Sequence, residues 1–214
     1  ADTEAEEDTS ISGDLKSLQD FASVHGASLF KIAQISLEEA LMYGKKYSPS
    51  RRDYDNTLFN KGASFVTLTE DGSLRGCIGS VFGRQSIAQD VADNTYAAAL
   101  EDKRFNPLTA QDLPNLKISI SLLTGYERIR YQDEADLLRQ IVAGKDGIVL
   151  RSGDRQALFL PSVWKELPDK QEFLNNLKLK AGMTPSYWSN KIKVYRLNND
   201  ATLKDLSLTN GVNI

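Results

Sequence analysis

Leu74-Arg75-Gly76-Cys77-Ile78-Gly79 constrains this chain more than any other stretch. It holds the only cysteine, with Gly76 just before it and Gly79 two residues after. Residues 64–70 read as a strand, Asp71-Gly72 as a two-residue turn and residues 73–80 as the returning strand. Asp-Gly suits that turn because both central positions need positive φ, which glycine adopts freely and aspartate better than most residues. Strict alternation would put Arg75, Cys77 and Gly79 on one face and Leu74, Gly76 and Ile78 on the other. A guanidinium beside a thiol favours the thiolate. Glycine inside a strand weakens it and marks a bulge or a close approach by backbone or ligand. The expectation is a small site around an Arg75/Cys77 pair.

A lone strand cysteine is also compatible with plain packing as a small apolar group. Nucleophilic chemistry needs a base in reach, and the only histidine, His25, lies far away in sequence. A base for Cys77 would have to be a carboxylate, a tyrosine or a bound water, which weakens the case for a Cys-His hydrolase. One cysteine and one histidine build neither a disulfide, nor a structural zinc site, nor an iron–sulfur cluster, so no metal is expected. No phosphate loop, dinucleotide fingerprint or other cofactor motif occurs.

The chain has 214 residues, 41% of them hydrophobic and 26% charged, enough for a core without covalent staples. No apolar run is long enough to span a membrane and no signal segment is evident, so the expected compartment is the cytoplasm. The net charge is −3, and Asp2, Glu4, Glu6, Glu7 and Asp8 alone exceed it, leaving the rest slightly basic. That acidic start reads as a solvated, flexible tail. The small basic surplus, with no stripe of basic and aromatic residues, argues against nucleic-acid binding.

Residues 14–24 show helical spacing through Leu15, Leu18 and Phe21, and Gly26 is expected to interrupt it. Ser28 would cap a second helix ending near Gly44. The polar stretch 45–55 carries Arg51-Arg52, read as solvated surface or an anion site. Ser86 with Gln89 forms a capping-box pattern for a helix stopped by Pro107. Asp102, near that helix's C-terminus and against its dipole, needs a cationic partner, either Arg104 or Arg75. Residues 116–122 alternate as a half-buried strand. Asp133 caps a short helix closed by Gly144, and Gly153-Asp154 turns a second hairpin. Trp164 sits in a loop with a short helical turn, residues 171–181 form a helix ending at Gly182, and residues 192–197 form a last strand. Hairpins with helices between them indicate an α+β fold with antiparallel sheets flanked by helices.

The hexapeptide resembles the signature of the AMMECR domain family. The match extends through Asp102-Lys103-Arg104-Phe105 with Pro107, Leu113-Pro114, Ser119-Ile120-Ser121-Leu122, Gly147-Ile148, Leu160-Pro161 and Lys180-Ala181-Gly182, in the family's order. The resemblance implies a domain over residues 28–197, between an acidic extension (1–27) and a C-terminal tail (198–214). It also implies two subdomains: a larger one with both chain ends, a smaller inserted one, and a cleft between them faced by the signature.

Relatives are similar to AmmeMemoRadiSam system protein A, which implies partners: a Memo-type protein related to extradiol dioxygenases and a radical S-adenosylmethionine protein. The expected function is therefore a small-molecule-binding or catalytic component of such a system. Cys77 and Asp102 would be the catalytic groups, and Arg75, Gly76, Gly79 and Arg104 the ligand contacts. The alternative is a non-catalytic adaptor that docks these partners.

Overall fold

The computed structural model describes residues 15–123, 126–197 and 200–207. Residues 2–8, where the acidic tail falls, lie outside the described residues. The helices are α1 (Leu15–Tyr43), α2 (Ile87–Leu100), α3 (Glu134–Gln140) and α4 (Lys170–Lys180). The strands are β1 (Lys61–Glu70), β2 (Ser73–Gly79), β3 (Gln85–Ser86), β4 (Leu116–Leu123), β5 (Tyr126–Ile129), β6 (Gly147–Ser152), β7 (Arg155–Phe159), β8 (Lys193–Leu197) and β9 (Asp200–Ser207). Two antiparallel sheets result, β2-β1-β4-β9 with β3 beside the start of β1, and β5-β8-β6-β7. The fold is α+β.

The contacts divide the chain into two units. One comprises the described residues up to 123 together with β9. Its sheet begins with the expected hairpin, and φ is positive at both Asp71 and Gly72. Alternation puts Val66 and Leu68 of β1, and Leu116, Ile118, Ile120 and Leu122 of β4, on one buried face. Leu29, Ile32, Ala33 and Leu37 of α1 and Ile87, Val91 and Ala98 of α2 join them in one core. Each fully buried Leu or Ile contributes roughly 1.5–3 kcal/mol.

The expected break at Gly26 does not form, and Ser28 caps nothing. Helix α1 runs through both as a single 29-residue element. Gly26 falls on the buried stripe between Ala22 and Leu29. Burial on either side outweighs the roughly 1 kcal/mol that glycine costs in a helix. The segment after residue 198, expected as a weakly patterned tail, supplies β9, which pairs along β4 from Leu123↔Asp200 to Lys117↔Ser207.

The second unit comprises residues 126–197 and has its own core. Ile129, Ile148, Leu150, Ala157 and Val194 of its sheet meet Leu137 of α3 and Phe173, Leu174 and Leu177 of α4. Trp164 stacks on Phe173 at 3.7 Å and donates its indole N–H to the Asp146 carbonyl at 2.7 Å. Lys178 is wholly buried and satisfied by the Glu134 carboxylate (2.8 Å) and the Pro185 carbonyl (2.9 Å).

Helix α2 lies directly on β2. A Cβ at Gly76 would run into the carbonyl oxygen of Ala98, a backbone atom that cannot swing aside. Gly76→Ala is therefore expected to lower stability by about 3 kcal/mol, read as a lower urea midpoint with unchanged slope.

Candidate functional site

The pairing of β1 with β2 shifts between Leu68 and Thr69. Leu68 opposes Gly76, whereas Thr69 opposes Leu74. Arg75 is thus the extra residue of a β-bulge. In such a bulge the extra residue and its successor both sit opposite one partner, here Leu68 on the buried face. Arg75 accordingly reaches Glu70, which alternates with Val66 and Leu68, and its Nη1 lies 3.9 Å from an Asp112 carboxylate oxygen. Cys77 opposes Thr67 on the other face, and its Sγ lies 3.2 Å from Thr67 Oγ1. Arg75 and Cys77 do not share a face as strict alternation required. One inserted residue shifts every position N-terminal to it to the opposite side.

At Gly76 the place of a Cβ is taken by the Ala98 carbonyl of α2, and at Gly79 by the Phe65 ring.

Asp102 and Arg104 do converge on Cys77. Strand β2 ends the order of its sheet, so the Cys77 N–H and C=O point away from β1. The N–H donates to Asp102 Oδ2 at 2.9 Å, and Arg104 Nη2 donates to the Cys77 carbonyl at 3.2 Å. The two side chains are joined by Arg104 Nε to Oδ1 (3.0 Å) and Nη2 to Oδ2 (2.7 Å), a two-pronged ion pair. Its carboxylate is 5% exposed and its guanidinium 58%. Arg104, not Arg75, is the partner that Asp102 required.

The Arg104 hydrogen bonds hold the Asp102 carboxyl well below the usual carboxylate range, aided by the Cys77 and Arg104 amides and opposed by burial. With both oxygens hydrogen-bonded, Asp102 holds the Cys77 amide in place. His25 packs against Phe21 on α1. The row Cys77–Thr67–Ser119 crosses three strands on the face opposite α1 and α2. Cys77 is a free, half-buried thiol within it.

A second polar group lies at the other end of α2. Ser86 caps the helix through the Gln89 amide, but the Gln89 side chain turns to the Tyr47 carbonyl and Asp93 rather than closing a capping box. Asp90, 1% exposed, accepts from the Ser64 amide (2.8 Å), the Ser64 hydroxyl (2.7 Å), Asn94 Nδ2 (3.0 Å) and the Ser80 hydroxyl (2.5 Å). Burial raises its pKa, against the lowering effect of these donors. Asp90 and Asn94, one turn apart on the buried side of α2, went unnoticed in the sequence. Two polar residues interrupting an apolar face at that spacing are the signal that marks them. Among the described residues, no three His, Cys, Asp or Glu side chains come together to hold a metal ion. No helix among them is long and apolar enough to cross a membrane.

The AMMECR1 family profile matches residues 30–201. The chain belongs to the AMMECR1 family. A Saccharolobus islandicus protein is 34% identical over 194 residues, covering 87% of this chain and 84% of its own. A Methanosarcina barkeri protein is 35% identical over 168 residues, covering 77% and 83% respectively. The crystal structure of uncharacterized protein PH0010 from Pyrococcus horikoshii superposes with a TM-score of 0.72 at 31% identity, covering 81% of this chain and 88% of that one. The AMMECR1 profile spans the whole Cys77 clamp and the Asp90 cluster.

Asp102 makes stability depend on pH. Its folded pKa lies below the unfolded value near 4, so as pH falls the unfolded chain takes up the proton first and the stabilisation is lost. Asp102→Asn is expected to be about 2 kcal/mol less stable than wild type at neutral pH. The gap should narrow in urea melts repeated at progressively lower pH below about 4.

Proposed function

We propose that this AMMECR1 chain is a small-molecule-binding component of a multi-protein system, with the Cys77 row as the ligand-contacting surface. Its partners in this reading are a Memo-type protein and a radical S-adenosylmethionine protein. The supporting observation is the two-sided hold on the Cys77 peptide. It fixes the backbone beneath a half-buried thiol and leaves most of the Arg104 guanidinium facing solvent. Arg104 would take the role that Arg75 had in the sequence reading, attracting an anionic group to the neighbourhood of the sulfur.

At the Cys77 row, binding is favoured over catalysis because the one carboxylate bonded to Cys77 already accepts from the Cys77 amide and from Arg104 on both oxygens. In this reading any chemistry on the molecule held at the Cys77 row belongs to the partner proteins, and this row presents or orients it.

Two substitutions test the assignment. Arg104→Gln and Cys77→Ser are each expected to lose the small molecule that native mass spectrometry detects on protein purified from its native host. Association with the two partners should persist in both. Loss of partner association with no small molecule on the wild-type chain would instead identify a non-catalytic adaptor. Retention of the small molecule by Arg104→Gln at the wild-type level would remove Arg104 from the site.

A further inference from the structure

The Asp90 cluster holds a nucleophile, a base and groups that orient the base. The Ser80 hydroxyl donates to Asp90 Oδ1 at 2.5 Å. The opposite oxygen, Oδ2, is fixed by the Ser64 amide, the Ser64 hydroxyl and Asn94 Nδ2. Asn94 Nδ2, whose nearer acceptors are Asp90 Oδ2 and the Ser64 carbonyl at 3.0 Å each, also lies 3.2 Å from Ser80 Oγ and helps to position that hydroxyl. Ser64 and Asp90 are wholly buried and Asn94 nearly so, whereas Ser80 is half-buried. Ser80 is therefore the member of the group that solvent or a substrate reaches first. The Ser80 amide donates to the Ser64 carbonyl at 2.9 Å, so its backbone is anchored too.

We infer that Ser80 is a nucleophile for acyl transfer and Asp90 its general base, a reactive centre separate from the Cys77 row. The pattern is that of an activated hydroxyl whose base is itself held by a third group. Burial, which disfavours the charged carboxylate, makes Asp90 a stronger base than an exposed aspartate. A carboxylate remains a weaker base than imidazole, which directs the site to activated acyl groups such as thioesters and aryl esters.

In the first step Ser80 Oγ bonds to the carbonyl carbon and its proton passes to Asp90 Oδ1. The bond to the thiolate or aryloxide then breaks, and that leaving group carries the proton away. In the second step water attacks the acyl-serine, Asp90 takes the water's proton, the acyl–Oγ bond breaks and Ser80 recovers the proton. The sum is hydrolysis, with no oxidant or reductant.

The full chain treated with an alkyl fluorophosphonate, a serine-directed probe, tests this. The expected result is one adduct on folded wild type, mapped to Ser80 by tandem mass spectrometry and absent from Ser80→Ala. Labelling should slow in heavy water, and in Asp90→Asn by about 100-fold. An unlabelled folded wild type, or an adduct on another serine, overturns the proposal. So does a labelling rate that is unchanged in heavy water, a readout that needs no variant to fold. None of these outcomes depends on Cys77 or Arg104.

Discussion

Where β2 passes beneath α2, residue 76 has no space for a side chain, and much of the larger unit follows from that contact. The Ala98 carbonyl sits where a Cβ would be, so helix and strand approach at backbone distance. Residue 76 must then face the helix, and Cys77 must face away from it. The bulge at Arg75 lets this register coexist with a tight Asp71-Gly72 turn, taking up the one residue that would otherwise misalign the ribbon. The same contact ends α2 close to β2, so that Asp102, two residues beyond the helix, reaches the Cys77 amide.

Helix α2 carries one buried carboxylate near its start and another just past its end, and their surroundings push them in opposite directions. Asp90 lies in the first turn, where the helix dipole favours a negative charge, yet its neighbours are neutral hydroxyls and amides and burial dominates. Asp102 lies past the C-terminus, where the dipole disfavours it, yet a guanidinium on both oxygens overrides that. Formal charge and helix position alone would have ordered the two the other way. A direct cation decides between them, and only Asp102 has one.

Much of the fold was legible because periodicity reports burial. The hairpin at Asp71-Gly72, the alternation of β4, the Ser86 and Asp133 caps and the Gly182 stop all occur as read. The uninterrupted helix through Gly26 was not legible, because a glycine's local preference says nothing about what packs on either side of it. Strand β9 escaped for a similar reason, since its partner β4 lies about eighty residues away in the chain. At the site, Asp102 and Arg104 could be paired by charge, but the face of Arg75 could not be assigned. A bulge depends on how two strands align, and neither strand alone encodes that. Asp90 was hidden in plain view as an ordinary acidic residue near a helix start.

The pair that grips Cys77 has an effect beyond that residue. An outermost strand ordinarily offers its free amides and carbonyls to any extended segment that drifts past, including the same strand of another molecule. At Cys77 both outward groups are already taken by side chains from the same chain. The ribbon cannot add a further rung there without breaking a charged pair, so self-assembly by strand addition is blocked at that position of the edge.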